Sequence, residues 1–263
     1  MVSSDKLDPS EKDSFLIGDM VRCIMKDLSF SGKVVLVTGG SGGLGVDVGQ
    51  AFLKAGASLV LTYYSDNSLP LLQKMCGQSK NVFLLRGDFK KEDDAKILVS
   101  EVLKRFGRID VLANVIGGYI AGKPVTEIDE KEWDEMMDLN LKTAFLLSKH
   151  VAAQMVKQSG GKIIHVAARP GLKGTGFDAA YVASKSGVIR LVESLSEEVK
   201  SKGVNVNCIL PSIIDTQENR IAMPGADYAK WVKPVDIANV ILFLASDDAR
   251  PITGASIPVY GLA

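Results

Sequence analysis

Short apolar runs alternate with helical stretches along almost the whole chain, and this alternation is the strongest constraint on how it can fold. Lys33–Thr38, Ser58–Tyr63, Asn81–Arg86, Ile109–Val115, Gly161–Val166, Val204–Leu210 and Ser256–Tyr260 read as strands, most of them apolar enough to be buried on both faces. Between them, residues 44–56, 68–78, 92–107, 130–158, 178–202 and 234–246 read as helices, with Gly56, Gly107 and Gly203 as end signals and Pro234 as a start signal. Strands separated by helices pair in parallel through right-handed crossovers, which places helices on both faces of the sheet. The last run carries Pro258 and reads as an edge strand. The expectation is one α/β domain over residues 30–263, a doubly wound parallel sheet of about seven strands, with no linker, internal repeat or low-complexity tract. Residues 1–29 form an extension. Its residues 14–28 have apolar side chains at helical spacing, which suits an appended helix or a partly ordered leader.

The first strand runs directly into Thr38-Gly-Gly-Ser-Gly-Gly-Leu-Gly45 and then into a helix. Glycines there allow a tight turn and let backbone N–H groups approach a pyrophosphate, while the helix N-terminus supplies partial positive charge. With a strand before, a helix after and a second strand about twenty residues on, the arrangement is that of a Rossmann-type dinucleotide site. An acid at the tip of the second strand would bind a ribose 2′-hydroxyl, and its absence leaves room for a 2′-phosphate. The chain has Tyr63 at that tip, followed by Tyr64, Ser65 and a late Asp66, with no arginine in the glycine turn. The cofactor is expected to be NADP or NAD, with a lean to NADPH.

Bulk properties narrow the partners. Thirty-one basic residues balance thirty-one acidic ones, so no global field draws the chain to nucleic acid or to a lipid surface. A small molecule in a pocket is the expected partner. Cys23, Cys76 and Cys208 are odd in number and in no metal spacing, and there are only two histidines; no metal site is expected. Cysteine usage, the polar acid-containing N-terminus and the lack of an apolar run of transmembrane length point to a cytoplasmic protein.

Tyr181 and Lys185 lie one helical turn apart in Tyr-Val-Ala-Ser-Lys. A free tyrosine titrates near 10, too high for efficient proton exchange at neutral pH. A lysine at i+4 shares its helix face and favours the phenolate, so Tyr181 could deliver a proton to a substrate as hydride arrives. An ordinary amphipathic pair has the same spacing; the surrounding motifs argue against it. His165, at the end of a strand, reads as a packing residue rather than a base, and His150 reads as a helix-surface residue.

With these motifs in order, residues 30–263 resemble the short-chain dehydrogenase/reductase family. The resemblance implies that Gly39, Ser41, Gly43, Leu44 and Gly45 form the cofactor turn, with Tyr63 at the ribose. It places Asp88 and Phe89 at the adenine and Asn114, Ile116 and Gly117 along the adenosine side. Pro211, Ile214 and Thr216 match the segment that clamps the nicotinamide amide, with Ser212 where a glycine is usual. Tyr181, Lys185 and Asn140 match the catalytic set, Lys185 also anchoring the nicotinamide ribose and Asn140 holding a water of the proton relay. A homo-oligomer, dimer or tetramer, paired through the helices at 130–158 and 178–202 is also implied.

One position departs from the family pattern. Ala168 stands thirteen residues before Tyr181, where a serine usually donates a hydrogen bond to the substrate carbonyl. Losing such a donor costs on the order of 2–4 kcal/mol of transition-state stabilisation. The substrate does without the donor, another group replaces it, or the protein binds cofactor with little turnover. Quinonoid dihydropteridine reductases, a branch that uses NADH, also have alanine there, and the order of residues from Leu210 to Trp231 resembles theirs. The expected activity is NAD(P)H-dependent hydride transfer to a small C=O or C=N substrate, either dihydropteridine-reductase-like or as a 3-oxoacyl or other carbonyl reductase. Ala168, Arg169, Met223 and Trp231 are candidate substrate-facing residues, with Tyr228 nearby, and residues at about 212–233 are expected to cover the substrate.

Overall fold

The computed structural model describes residues 28–77 and 79–262. The expected helix over residues 14–28, and Cys23, lie outside the described residues apart from Leu28. Seven strands form one parallel sheet in the order β3-β2-β1-β4-β5-β6-β7. They are β1 (Val34–Thr38), β2 (Ser58–Tyr63), β3 (Val82–Arg86), β4 (Val111–Asn114), β5 (Gly161–Val166), β6 (Val204–Pro211) and β7 (Ser256–Val259). The chain starts in the middle of the sheet, winds outward to β3, then returns past β1 to β4. The C-terminal ends of β1 and β4 thus flank the point where the winding reverses, the usual place for a ligand crevice.

The strand sequences explain their places. Every residue of central β1 is buried, whereas edge strand β3 is only partly so. Pro258 sits on β7, opposite Leu210, at the other edge, where a missing N–H costs nothing. Along β1, Val35 and Val37 enter one core layer while Val34 and Leu36 enter the other, as the two-residue period of a strand requires. The first layer is closed by Val48 and Phe52 of α1 (Gly43–Lys54), Leu72 of α2 (Leu69–Cys76), and Ile237 and Ile241 of α8 (Pro234–Ala245). The second is closed by α3 (Glu92–Phe106), α5 (Thr143–Lys157) and α6 (Ala179–Val199), through Leu98, Leu147, Val151, Val188 and Val192 among others.

Three segments differ from the periodicity-based reading. The long helix expected over 130–158 is α4 (Glu130–Met136) and α5 joined by a π-helical turn, Met137–Lys142, which contains Asn140. Apolar spacing barely registers such a turn, because one extra residue shifts the pattern only locally. The strand expected over 109–115 is regular only over Val111–Asn114, though the backbones of Asp110 and Val115 still bond their neighbours; the Asp110 carboxylate also accepts the Val34 N–H at 2.8 Å. Residues 212–233, expected to cover the substrate, hold the short helix α7 (Gln217–Ala222), followed by one 3₁₀ turn at Tyr228–Lys230.

Candidate active site

The site is built where α1 leaves β1. The turn is pinned to β2 by Gly40 N–H on the Thr62 carbonyl at 2.9 Å and by Gly39 N–H on the Thr62 hydroxyl at 3.2 Å. The first turn of α1 has no side-chain cap and Gly42 and Gly43 are exposed, so its N–H groups face outward for an anion. Gly45 shows why the turn is glycine-rich, since a Cβ there would collide with the Gly39 carbonyl. Gly43 packs on the Thr216 side chain, bringing the start of α1 and the segment after β6 together. Leu44 is buried beneath the turn and Ser41 is half-buried at its rim.

Tyr63 ends β2, half-buried, beside Arg86 at the end of β3. The Arg86 guanidinium donates to the Tyr64 carbonyl at 3.1 Å and to Asp66 at 2.8 Å. Asp88 follows β3; its N–H donates to Asp94 at 2.7 Å and its carboxylate accepts the Lys90 N–H at 3.3 Å, while Phe89 is buried below.

A buried polar chain ties the strand ends together. Thr38 Oγ1 donates to Asn114 Oδ1 at 2.6 Å, and the same oxygen accepts the Ile116 N–H at 3.3 Å. Asn114 therefore presents its amide N–H to His165 Nδ1, at 3.1 Å, which leaves Nε2–H of the imidazole to donate to Ser148 Oγ at 2.8 Å. His165 has a more specific role than strand-end packing: it is a neutral, tautomer-fixed link between β4, β5 and α5. Burial and the nearby Lys185 ammonium push its pKa down to about 4.

Asn140 exchanges two hydrogen bonds with Gly118, accepting its N–H at 2.9 Å and donating to its carbonyl at 3.1 Å, and also donates to Ser184 Oγ at 3.0 Å. Lys185, 4% exposed, donates to the Val166 carbonyl at 2.9 Å. A Cβ on Gly117 would lie 2.9 Å from Lys185 Nζ and 3.0 Å from Asn140 Oδ1, so glycine lets both side chains close on the loop without shifting. Lys185 Nζ is 6.0 Å from the centre of the Tyr181 ring.

The electrostatics correct one expectation. Burial is the largest influence on Tyr181 and raises its pKa, reinforced by Tyr119 and Asp178. Burial also lowers Lys185 to about 8. In this arrangement Tyr181 is held as the protonated phenol rather than drawn towards phenolate. Desolvation outweighs a lysine whose ammonium is turned to a carbonyl on the neighbouring strand.

Of the substrate-facing candidates, Ala168 lies two residues past β5 in extended conformation, buried, with its carbonyl accepting the Gly171 N–H at 2.9 Å. Arg169 is exposed and its guanidinium stacks 4.9 Å over the Tyr260 ring. Trp231 is buried and packs its ring on Tyr228, with centroids 4.8 Å apart; the Met223 carbonyl accepts from the Tyr228 hydroxyl at 3.2 Å. The last two contacts tie Met223, Tyr228 and Trp231 to one another. Pro211 is the last residue of β6; beyond it Asn219 donates to the Ile214 carbonyl at 2.8 Å and the Thr216 hydroxyl caps α7.

Sequence reasoning missed Tyr119 and Asp178. The Tyr119 ring meets the Tyr181 ring edge-on, with centroids 4.7 Å apart, and its hydroxyl donates to Asp178 at 3.0 Å. Their positions gave a faint signal: Tyr119 lies two residues past Gly117, and Asp178 three before Tyr181.

A glycine turn at the switch point of a parallel sheet, together with a tyrosine, a buried lysine and a buried asparagine beyond the ends of β4 and β5, is the arrangement of a nicotinamide-dependent oxidoreductase. The chain belongs to the short-chain dehydrogenase family, whose model matches residues 33–224. It is 32% identical over 239 residues to the 3-oxoacyl-acyl-carrier-protein reductase FabG of Staphylococcus epidermidis, covering 87% of this chain and 98% of that one. It is likewise 32% identical over 245 residues to the FabG of Escherichia coli, covering 89% and 98%. Among solved structures, a short-chain type dehydrogenase/reductase from Mycobacterium ulcerans superposes with a TM-score of 0.84 at 29% identity, covering 89% of this chain and 90% of that one. ElxO with NADP bound superposes with a TM-score of 0.82 at 26% identity, covering 87% and 97%. No helix among the described residues is long and apolar enough to cross a membrane.

Proposed function

We propose that the protein reduces a small C=O compound with NADPH, Tyr181 delivering the proton. One observation carries this reading: Lys185 and Asn140 both close on Gly117, so the Tyr181 helix is fixed against the loop that leaves β4 beside the cofactor turn. The outward N–H groups of α1 fit a pyrophosphate, and bound nicotinamide supplies the hydride. The substrate carbon gains that hydride and its oxygen gains the Tyr181 proton. Lys185, poised beside the ribose position, restores the phenol by way of water held near Asn140. Similarity to 3-oxoacyl reductases supports a ketone, and NADP in a neighbour of this fold supports the cofactor choice.

Arg86 adds support for the 2′-phosphate. It lies beside Tyr63 and Tyr64 and neutralises Asp66, the acid that would repel the phosphate. The unpaired, buried thiols of Cys76 and Cys208 suit a reducing, cytoplasmic setting, and exposed Trp133 and Phe145 on α4 and α5 suit a homo-oligomeric face.

The test mixes protein and NADPH or NADH with an acetoacetyl thioester, diacetyl, quinones and a quinonoid dihydropterin, following reduced-nicotinamide absorbance. Turnover of the ketones, faster with NADPH, is the expected result. Activity on the pterin alone would select the second reading, which Ala168 favours. Tight nucleotide binding without turnover of any compound would replace both with a cofactor-binding role.

The same assay predicts a pH limb. The relay needs Lys185 as an ammonium, and burial has brought that group down to about 8. Reduction is therefore expected to fall as pH rises through about 8, seen in kcat/KM profiles. A flat profile to pH 10 would remove Lys185 from the relay.

A further inference from the structure

Building on that reading, we propose that Tyr119 replaces the hydroxyl missing at Ala168: its phenol donates the second hydrogen bond to the substrate oxygen, opposite Tyr181. Tyr119 is 64% exposed, yet it is fixed from both sides. Gly118, just before it, is clamped by the two-way exchange with Asn140. Three residues after it, the Gly122 N–H donates to the Phe177 carbonyl at 2.7 Å. This exposed ring stands edge-on to Tyr181, with centroids 4.7 Å apart, so an oxygen served by Tyr181 would arrive beside it.

The hydroxyl is also in the right chemical state. It donates to Asp178, a carboxylate that accepts a second hydrogen bond from Thr175 at 2.9 Å. Rotation about one C–O bond redirects the Tyr119 proton to an incoming oxygen while Thr175 keeps Asp178 satisfied. Partial desolvation and the Asp178 carboxylate both raise the Tyr119 pKa, which keeps it a hydrogen-bond donor at neutral pH. Two nearby serines are committed inward: Ser184 donates to the Tyr181 carbonyl at 2.7 Å and Ser148 meets His165. At Ala168 only a methyl group is present.

Tyr119→Phe keeps the ring contact and removes the hydroxyl. With NADPH and diacetyl or an acetoacetyl thioester, kcat is expected to fall about 100-fold, the usual loss of one oxyanion donor, with KM much less changed. NADPH affinity, read by nicotinamide fluorescence, and the thermal midpoint should stay at wild-type values. Adding Ala168→Ser to Tyr119→Phe should recover at least about tenfold of the loss, more than Ala168→Ser gains alone. A Tyr119→Phe variant within twofold of wild type, or a loss that serine fails to recover, overturns the proposal. Wild-type protein inactive on both ketones sinks the reductase reading together with this one. An active wild type with an unaffected Tyr119→Phe sinks only this one.

Discussion

Replacing Tyr181 with phenylalanine is expected to lower kcat by 10²–10⁴-fold, roughly the contribution of a positioned general acid. The phenyl ring still fills the space against Tyr119, so the ring contact and the helix survive. Lys185 keeps its bond to the Val166 carbonyl, and Asn140 keeps Gly118 and Ser184. Nothing in the glycine turn before α1 changes. Cofactor affinity should therefore match wild type while single-turnover hydride transfer collapses. The raised pKa of Tyr181 strengthens the expectation, because the group lost is one the protein keeps protonated across the physiological range. Turnover unchanged in this variant would mean that another acid serves the substrate, and the assignment would fail.

The second large effect concerns stability. His165 is driven down to about 4 in the folded protein from an ordinary value of 6.5. Between those values the unfolded chain binds the extra proton and the native chain does not, so stability falls as pH drops from 6.5 towards 4 and is fully present above 6.5. The difference amounts to roughly 3 kcal/mol for this one group. The physical reason lies in the network: a proton on Nδ1 would face the Asn114 amide donor, and the new charge would sit near the Lys185 ammonium. Urea midpoints at pH 7 and pH 4.5 should separate more widely for wild type than for His165→Gln, which has no proton to take up. Equal separations in the two proteins would show that carboxylates alone set the acid sensitivity.

The fold was legible because each strand and helix carries its own signal: apolar runs for strands buried on both faces, glycines for helix ends, proline for the β7 edge. The cofactor turn was legible for the same local reason, since strand, glycines and helix are consecutive. What could not be read depended on residues far apart in sequence. Asn114 meets His165 across 51 positions, Arg86 meets Asp66 across 20 and Tyr119 meets Asp178 across 59. Nor does spacing on a helix report depth: it placed Lys185 on the face of Tyr181, while the reversal in electrostatics came from how deeply both are sunk.

The π-helical turn at Met137–Lys142 has a consequence for how this chain can vary. A residue added to or removed from a helix rotates everything beyond it by about 100°. Here Met136 before the turn and Leu147 after it are both buried, with Asn140 bonded to Gly118 between them. Because the wider turn absorbs its extra residue locally, trimming that residue would act on the turn itself, moving Asn140 away from Gly118 and Ser184. Exchanges of side chain along this stretch can be absorbed one at a time, whereas a change in its length must release the Asn140 clamp.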